Sequence, residues 1–104
     1  MKLWKEIMDK ERFLPLGTIV RTKGNIKKVM IIGRCLYLQE KDSPEKTYYD
    51  YSAVLYPEGM TGDSFVYIMN KDVDEIVYRG YADEENTRML EIINEALAVE
   101  AKDE

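Results

Sequence analysis

Carboxylates are the side chains most able to do chemistry in this chain, and two clusters and one isolated position stand out among its 20 acids. Asp72-x-Asp74 with Glu75, and Asp83-Glu84-Glu85, each bring acids within two residues of one another. Close carboxylates can share a proton or hold a divalent cation. The first cluster approximates the start of a calcium loop, but the other ligand positions and the central glycine of an EF-hand are missing. Both clusters are therefore expected to be solvated acids at a turn and at a helix start. Asp50 lies between tyrosines in YYDY, and it is expected to bond a tyrosine hydroxyl or the backbone rather than act as an acid or base. The chain contains no histidine, so the usual general base and the commonest metal ligand are absent. Its single cysteine, Cys35, cannot form an internal disulfide or complete an ordinary zinc set, and it reads as a small core residue of a reduced compartment. Serine and threonine have no imidazole to activate them, and there is neither a Gly-x-Ser-x-Gly motif nor a phosphate loop. No catalytic residue, metal ligand or cofactor follows from the sequence, and an enzyme is not expected.

Binding is the remaining kind of work, and two features carry it. The first is charge. Between Arg12 and Gln39 there are six basic residues and no acid, while from Tyr81 onward eight acids face only Arg88 and Lys102, within a net charge of −5. The second is YYDYSAVLYPEG, residues 48–59, with its tyrosines and Pro-Glu-Gly turn. The candidate partner-binding residues are Arg21, Lys23, Lys28, Tyr48, Tyr56, Pro57 and Glu58. A protein partner is the first reading. The alternative is a nucleic-acid-binding or regulatory barrel using Arg21, Lys23, Lys27 and Lys28, with Tyr37 and Tyr48 stacking on bases. The sequence pI of about 4.8 argues against nucleic acid. An open sheet edge would also permit a homo-oligomer.

These residues need elements to position them. The 104 residues suit one domain, 1–104. Leu3/Ile7 and Trp4/Met8 form an apolar stripe at i,i+4 spacing, which predicts a helix over 2–12. A β region is expected over 17–80. TIVRTK (18–23) alternates as a strand, Gly24-Asn25 reads as a two-residue hairpin turn, and residues 27–38 form a long second strand, apolar at both parities around VMII and so expected to be covered on both faces, with a bulge or a barrel corner at Gly33. That turn would place Val20 opposite Val29, Ile19 opposite Met30 and Arg21 opposite Lys28, and the like-charged pair hints at a nearby acid. After the polar loop 40–46, Tyr49, Tyr51, Ala53 and Leu55 would face the core. Tyr48, Asp50, Ser52, Val54 and Tyr56 would face half-solvated surface. Tyr56-Pro57-Glu58-Gly59 suits a type I turn. Phe65–Met69, a one-turn helix capped by Asn70, and Glu75–Arg79 follow. Asp83 is a good N-cap for a helix over 83–100, with Met89, Ile92, Ile93, Ala96 and Leu97 on its apolar stripe. The fold class is α+β: a small five-stranded antiparallel SH3-like barrel or curled sheet, flanked by a short N-terminal and a longer C-terminal helix. No signal peptide or membrane span is visible, so a cytoplasmic protein is expected.

Four blocks also resemble a known family. LPLGTIV (14–20), VMIIGR (29–34), YDY with LYPEG (49–51, 55–59) and DEIVYRGY (74–81) occur in the order of domain-of-unknown-function family 4176. The resemblance implies a small protein of Gram-positive bacteria, often encoded in type VII (ESX-like) secretion loci beside toxins with a long helical LXG domain. It further implies a cytoplasmic accessory factor or chaperone whose partner is that helical domain or a secretion component. It supplies no catalytic or ligand residues. Tyr81-Ala82-Asp83-Glu84-Glu85 matches the Tyr-x-x-x-Asp/Glu pattern of type VII export signals, but Tyr81 is read as packing at the helix start.

Overall fold

The computed structural model describes residues 13–39 and 41–102. These residues contribute to two compact units, one spanning Phe13–Tyr81 and another that includes residues 82–102. The first is a five-stranded antiparallel sheet: β1 (Ile19–Thr22), β2 (Lys28–Gln39), β3 (Lys46–Leu55), β4 (Val66–Ile68) and β5 (Val73–Tyr78), in the order β4-β3-β2-β1-β5. A 3-10 turn, Asn70–Asp72, joins β4 to β5. The second unit carries helix α1, Glu84–Lys102. The helix expected over 2–12 lies outside the described residues.

Of the two sheet forms expected, the open one is observed. β4 and β5 are its edges, and among the described residues no ladder joins them. β4 is only three residues long and β5 carries Asp74 and Glu75; short strands and edge charges both discourage pairing with stray chains.

The β1–β2 register is the expected one: Ile19↔Met30, Val20↔Val29, Arg21↔Lys28. Burial sets it, because Val20 and Val29 both lie inside, at 0% and 5% exposure. The turn, however, sits one residue earlier than expected. Asn25 N–H donates to Thr22 C=O at 3.1 Å, with Gly24 at φ 80°, a backbone angle that glycine adopts without strain. The ladder stops at Arg21↔Lys28 because the end of β1 turns to β5: Thr22 pairs with Val73, and Lys23 N–H donates to Asp72 C=O at 2.9 Å. The bulge expected near Gly33 is present, with Ile31 opposite Ala53 and Gly33 opposite Ser52.

Three packing expectations are corrected. In VMII only Val29 and Ile31 are buried, while Ile32, the bulged residue, is 40% exposed. In β3 both faces are covered between Asp50 and Val54, so Asp50, Ser52 and Val54 are buried along with Tyr51 and Ala53, whereas Tyr48 and Tyr56 are half-buried as expected and Tyr49 and Leu55, expected in the core, are only half-buried. In α1 the least exposed line is Asn86, Leu90, Ile93, Asn94 and Leu97, whereas Met89, Ile92 and Ala96 are exposed. The start of α1 is as expected, with Asn86 N–H donating to Asp83 Oδ1 at 3.1 Å and Glu84 and Glu85 in the first turn, where acids suit the helix dipole. Tyr81 is 81% exposed rather than packed.

The core of the sheet unit centres on Phe13, Val20, Ile31, Tyr51 and Ala53, all within 1% of complete burial, with Leu14, Val29, Val54 and Ile68 buried around them. The segment 13–18 is sewn to β2, since Gly17 N–H donates to Ile31 C=O at 2.8 Å and Ile31 N–H donates to Thr18 C=O at 2.9 Å. Thr18 is fully buried and uses its hydroxyl twice. The hydroxyl donates to Pro15 C=O at 2.6 Å and accepts Gly80 N–H at 2.9 Å. That contact brings the 14–20 and 74–81 blocks together in space.

Candidate partner-binding surface

All the candidate residues except Tyr48 gather at one end of the sheet, where the β1–β2 loop meets the corner after β3. Two local features build that end. The Thr22–Asn25 turn pushes Ile26 into solvent, where it is 93% exposed. The corner is a five-residue loop closed by Gly59 N–H donating to Leu55 C=O at 2.7 Å, with a cis peptide at Tyr56-Pro57; it is therefore not the expected type I turn. Tyr56 N–H donates to Lys28 C=O at 2.9 Å, which fixes the corner to the start of β2.

The charges at this end are mostly paired within the protein. Arg21 bonds Glu75, its neighbour on β5, and this is the acid that the Arg21/Lys28 pair hinted at. Lys27 Nζ donates to Glu58 Oε1 at 2.6 Å. That hydrogen bond holds the Glu58 carboxyl below the usual carboxylate range. Lys28 Nζ sits 5.3 Å from the centre of the Tyr56 ring, within cation–π reach. Lys23, Ile26, Pro57 and Met60 are exposed around these pairs. The surface is thus a mixed apolar and charged patch rather than a row of unengaged cations.

Tyr48 belongs elsewhere, in a polar network inside the sheet. Its hydroxyl donates to Asp50 Oδ1 at 2.8 Å, and its ring lies 5.1 Å from that of Tyr37. Asp50 Oδ2 accepts Asn70 N–H at 2.8 Å. Both uses foreseen for Asp50, a tyrosine hydroxyl and the backbone, are realised. The Asn70 side chain does not cap the 3-10 turn; Asp72 does that, its Oδ2 accepting Met69 N–H at 2.9 Å. Asn70 Oδ1 instead accepts the hydroxyl hydrogen of Tyr51, whose oxygen accepts Leu14 N–H at 2.9 Å. Sequence reasoning missed the Tyr51–Asn70–Leu14 link. The available signal was a tyrosine on the core parity of β3, because a buried phenol needs a partner.

Burial pushes the Tyr51 phenol up to about 12. The unfolded chain's phenol titrates near pH 10, so the fold retains a proton that the unfolded chain has lost. Stability is intact below pH 10 and falls as pH rises toward 12, by about 1.4 kcal/mol per unit from this group. The stability gap between the wild type and Tyr51→Phe should therefore narrow above pH 10, as read from urea midpoints at pH 8 and pH 11. A constant gap would show that the phenol is not held neutral.

Among the described residues, no group of three or more Cys, Asp or Glu side chains converges as metal ligands do, and no helix is long and apolar enough to cross a membrane. A family model described as "Domain of unknown function (DUF4176)" matches residues 13–89. No curated protein and no solved structure matches the chain.

Proposed function

The chain belongs to the DUF4176 family, and from that membership we propose a non-enzymatic, protein-binding accessory factor or chaperone for a toxin exported by type VII secretion. Its scaffold is read as SH3-like, which the strand order β4-β3-β2-β1-β5 and the 3-10 turn before β5 support. The observation that carries a protein partner is the exposed Ile26, set among Lys23, the Lys27–Glu58 pair and the Tyr56-Pro57 corner. Apolar side chains rimmed by charge suit a polypeptide surface. Nucleic acid fits less well, because Arg21, Lys27 and Lys28 each already engage a carboxylate or a ring, and phosphate binding draws on available cations. The cytoplasm before export is where such a factor would act.

The test is co-expression with the helical domain of a toxin encoded beside it. Co-elution is expected, and Ile26→Asp should weaken it about tenfold, as for an interface anchor. If the two proteins elute apart and toxin solubility is unchanged, the reading fails. Binding of single-stranded oligonucleotide that disappears when Arg21, Lys23, Lys27 and Lys28 are neutralised would favour the nucleic-acid alternative instead.

A further inference from the structure

Helix α1 has one less exposed line of side chains, of which Leu90 is buried, and leaves a second apolar line in solvent. Met89, Ile92 and Val99 are 46%, 59% and 59% exposed. With Ala96, also exposed, they recur at i, i+3, i+7 and i+10, which places them on one stripe of a helix. Ile92, Ala96 and Val99 line a shallow groove that Glu95 borders. The charge around the stripe is acidic in balance. Glu91 and Glu95 lie along one flank and Glu85 stands near its start, against Arg88, which is 3.6 Å from Glu84, and Lys102 at the far end.

We infer that this stripe is a docking face for a basic amphipathic helix of a partner protein. Its apolar residues would seat between Met89 and Val99, and its Lys or Arg side chains would pair with Glu91 and Glu95. The acidic border selects this occupant. A second copy of α1 would bring acids against acids, which costs association. A helix laid on apolar positions at i, i+3 and i+7 is an established mode of peptide recognition. The inference rests on reading the protein as a protein-binding module, and it assigns a surface separate in sequence from the Ile26 loop and the Tyr56–Gly59 corner.

The probe is a synthetic amphipathic helix of leucines and lysines, dye-labelled and titrated with the full-length protein by fluorescence anisotropy. Saturable binding that weakens with salt is expected, and none by the same peptide with glutamates in place of lysines. The double variant Ile92→Asn/Val99→Asn should lose about tenfold or more in affinity, and Glu91→Lys/Glu95→Lys should lose a comparable amount. All four sites are exposed, and an unchanged circular dichroism spectrum and urea midpoint would show that the variants fold. Equal binding by the Ile92→Asn/Val99→Asn variant would overturn the inference by reducing the interaction to diffuse charge attraction. A wild-type dimer that this variant dissolves, with no peptide bound, would overturn it in favour of a second copy. Co-expression of the same variant with the toxin's helical domain separates the two readings. Capture by wild type and variant alike keeps the protein-binding function and removes α1 as its site. Peptide binding at α1 without toxin capture keeps the docking face and removes the toxin as partner.

Discussion

Tyr51→Phe should destabilise the sheet unit by about 2–3 kcal/mol, far more than removing a hydroxyl from most tyrosines. The substitution preserves the ring, which is fully buried and meets Phe13 edge-on at 6.1 Å and 84°. What disappears is one oxygen that accepts Leu14 N–H and donates to Asn70 Oδ1. Leu14 is 8% exposed, so its amide loses a partner where water has little access, and an unsatisfied buried donor costs about 1–3 kcal/mol. The loss at Asn70 adds to this, because that residue also gives its own N–H to Asp50. For a domain of this size the change corresponds to a fall of roughly 10–20 °C in Tm. Tyr48→Phe is the control. It removes a hydroxyl from the same network, but Tyr48 is half-buried and its hydroxyl bonds a carboxylate rather than a buried backbone amide, so about 1 kcal/mol is expected. Urea unfolding of the three proteins at pH 7 measures both. A Tyr51→Phe midpoint equal to that of Tyr48→Phe would show that the network adds nothing beyond its separate bonds.

The same network shows which parts of the fold were legible in the sequence. Alternation in β3 correctly separates Tyr51 and Ala53 from Asp50 and Ser52, because side chains on a strand alternate by geometry. Alternation cannot say what covers the second face. Here Asp50 is closed off by Asn70, twenty residues later, and Ser52 faces Gly33. The β1–β2 register expected from a Gly24-Asn25 turn is the observed one, yet the turn itself sits one residue earlier; burial of Val20 and Val29 keeps the register, while Lys23 bonds Asp72 from a distant part of the chain and draws the turn away. The candidate surface was partly legible for the same reason. Local turn chemistry marked Gly24-Asn25 and Tyr56–Gly59, but only the fold reveals that Lys27 reaches Glu58 and Lys28 reaches Tyr56. In α1 the apolar positions were visible, yet two overlapping stripes share that helix, and composition alone does not rank them for burial.

Gly80→Ala should cost about 3 kcal/mol, and unlike most overpacking substitutions it should resist rescue. A Cβ at position 80 would press into Leu16 C=O and come within 2.9 Å of Thr18 N and 3.0 Å of Gly17 C. Every one of those atoms is backbone, so no rotamer change relieves the contact. Either β5 or the 16–18 bend must move, and both are fixed. The bend is held to β2 through Gly17 and Ile31, and β5 to β1 through its ladder. Movement would also stretch the 2.9 Å bond from Gly80 N–H to the buried Thr18 hydroxyl. Gly33→Ala is the informative comparison. A Cβ there meets chiefly Ser52 Oγ, a side-chain atom that can rotate away or be deleted. It should cost roughly 1 kcal/mol, and adding Ser52→Ala should recover most of that. The equivalent second change at the other site, Thr18→Ala, should make Gly80→Ala worse. It leaves the backbone clash in place and strips Gly80 N–H and Pro15 C=O of their shared partner. Opposite signs of coupling in the two double-mutant cycles, measured by chemical denaturation, are the expected result. If Thr18→Ala instead restores stability to Gly80→Ala, the obstacle at position 80 is a side chain, and the close backbone packing of the 14–18 and 78–81 segments is wrong.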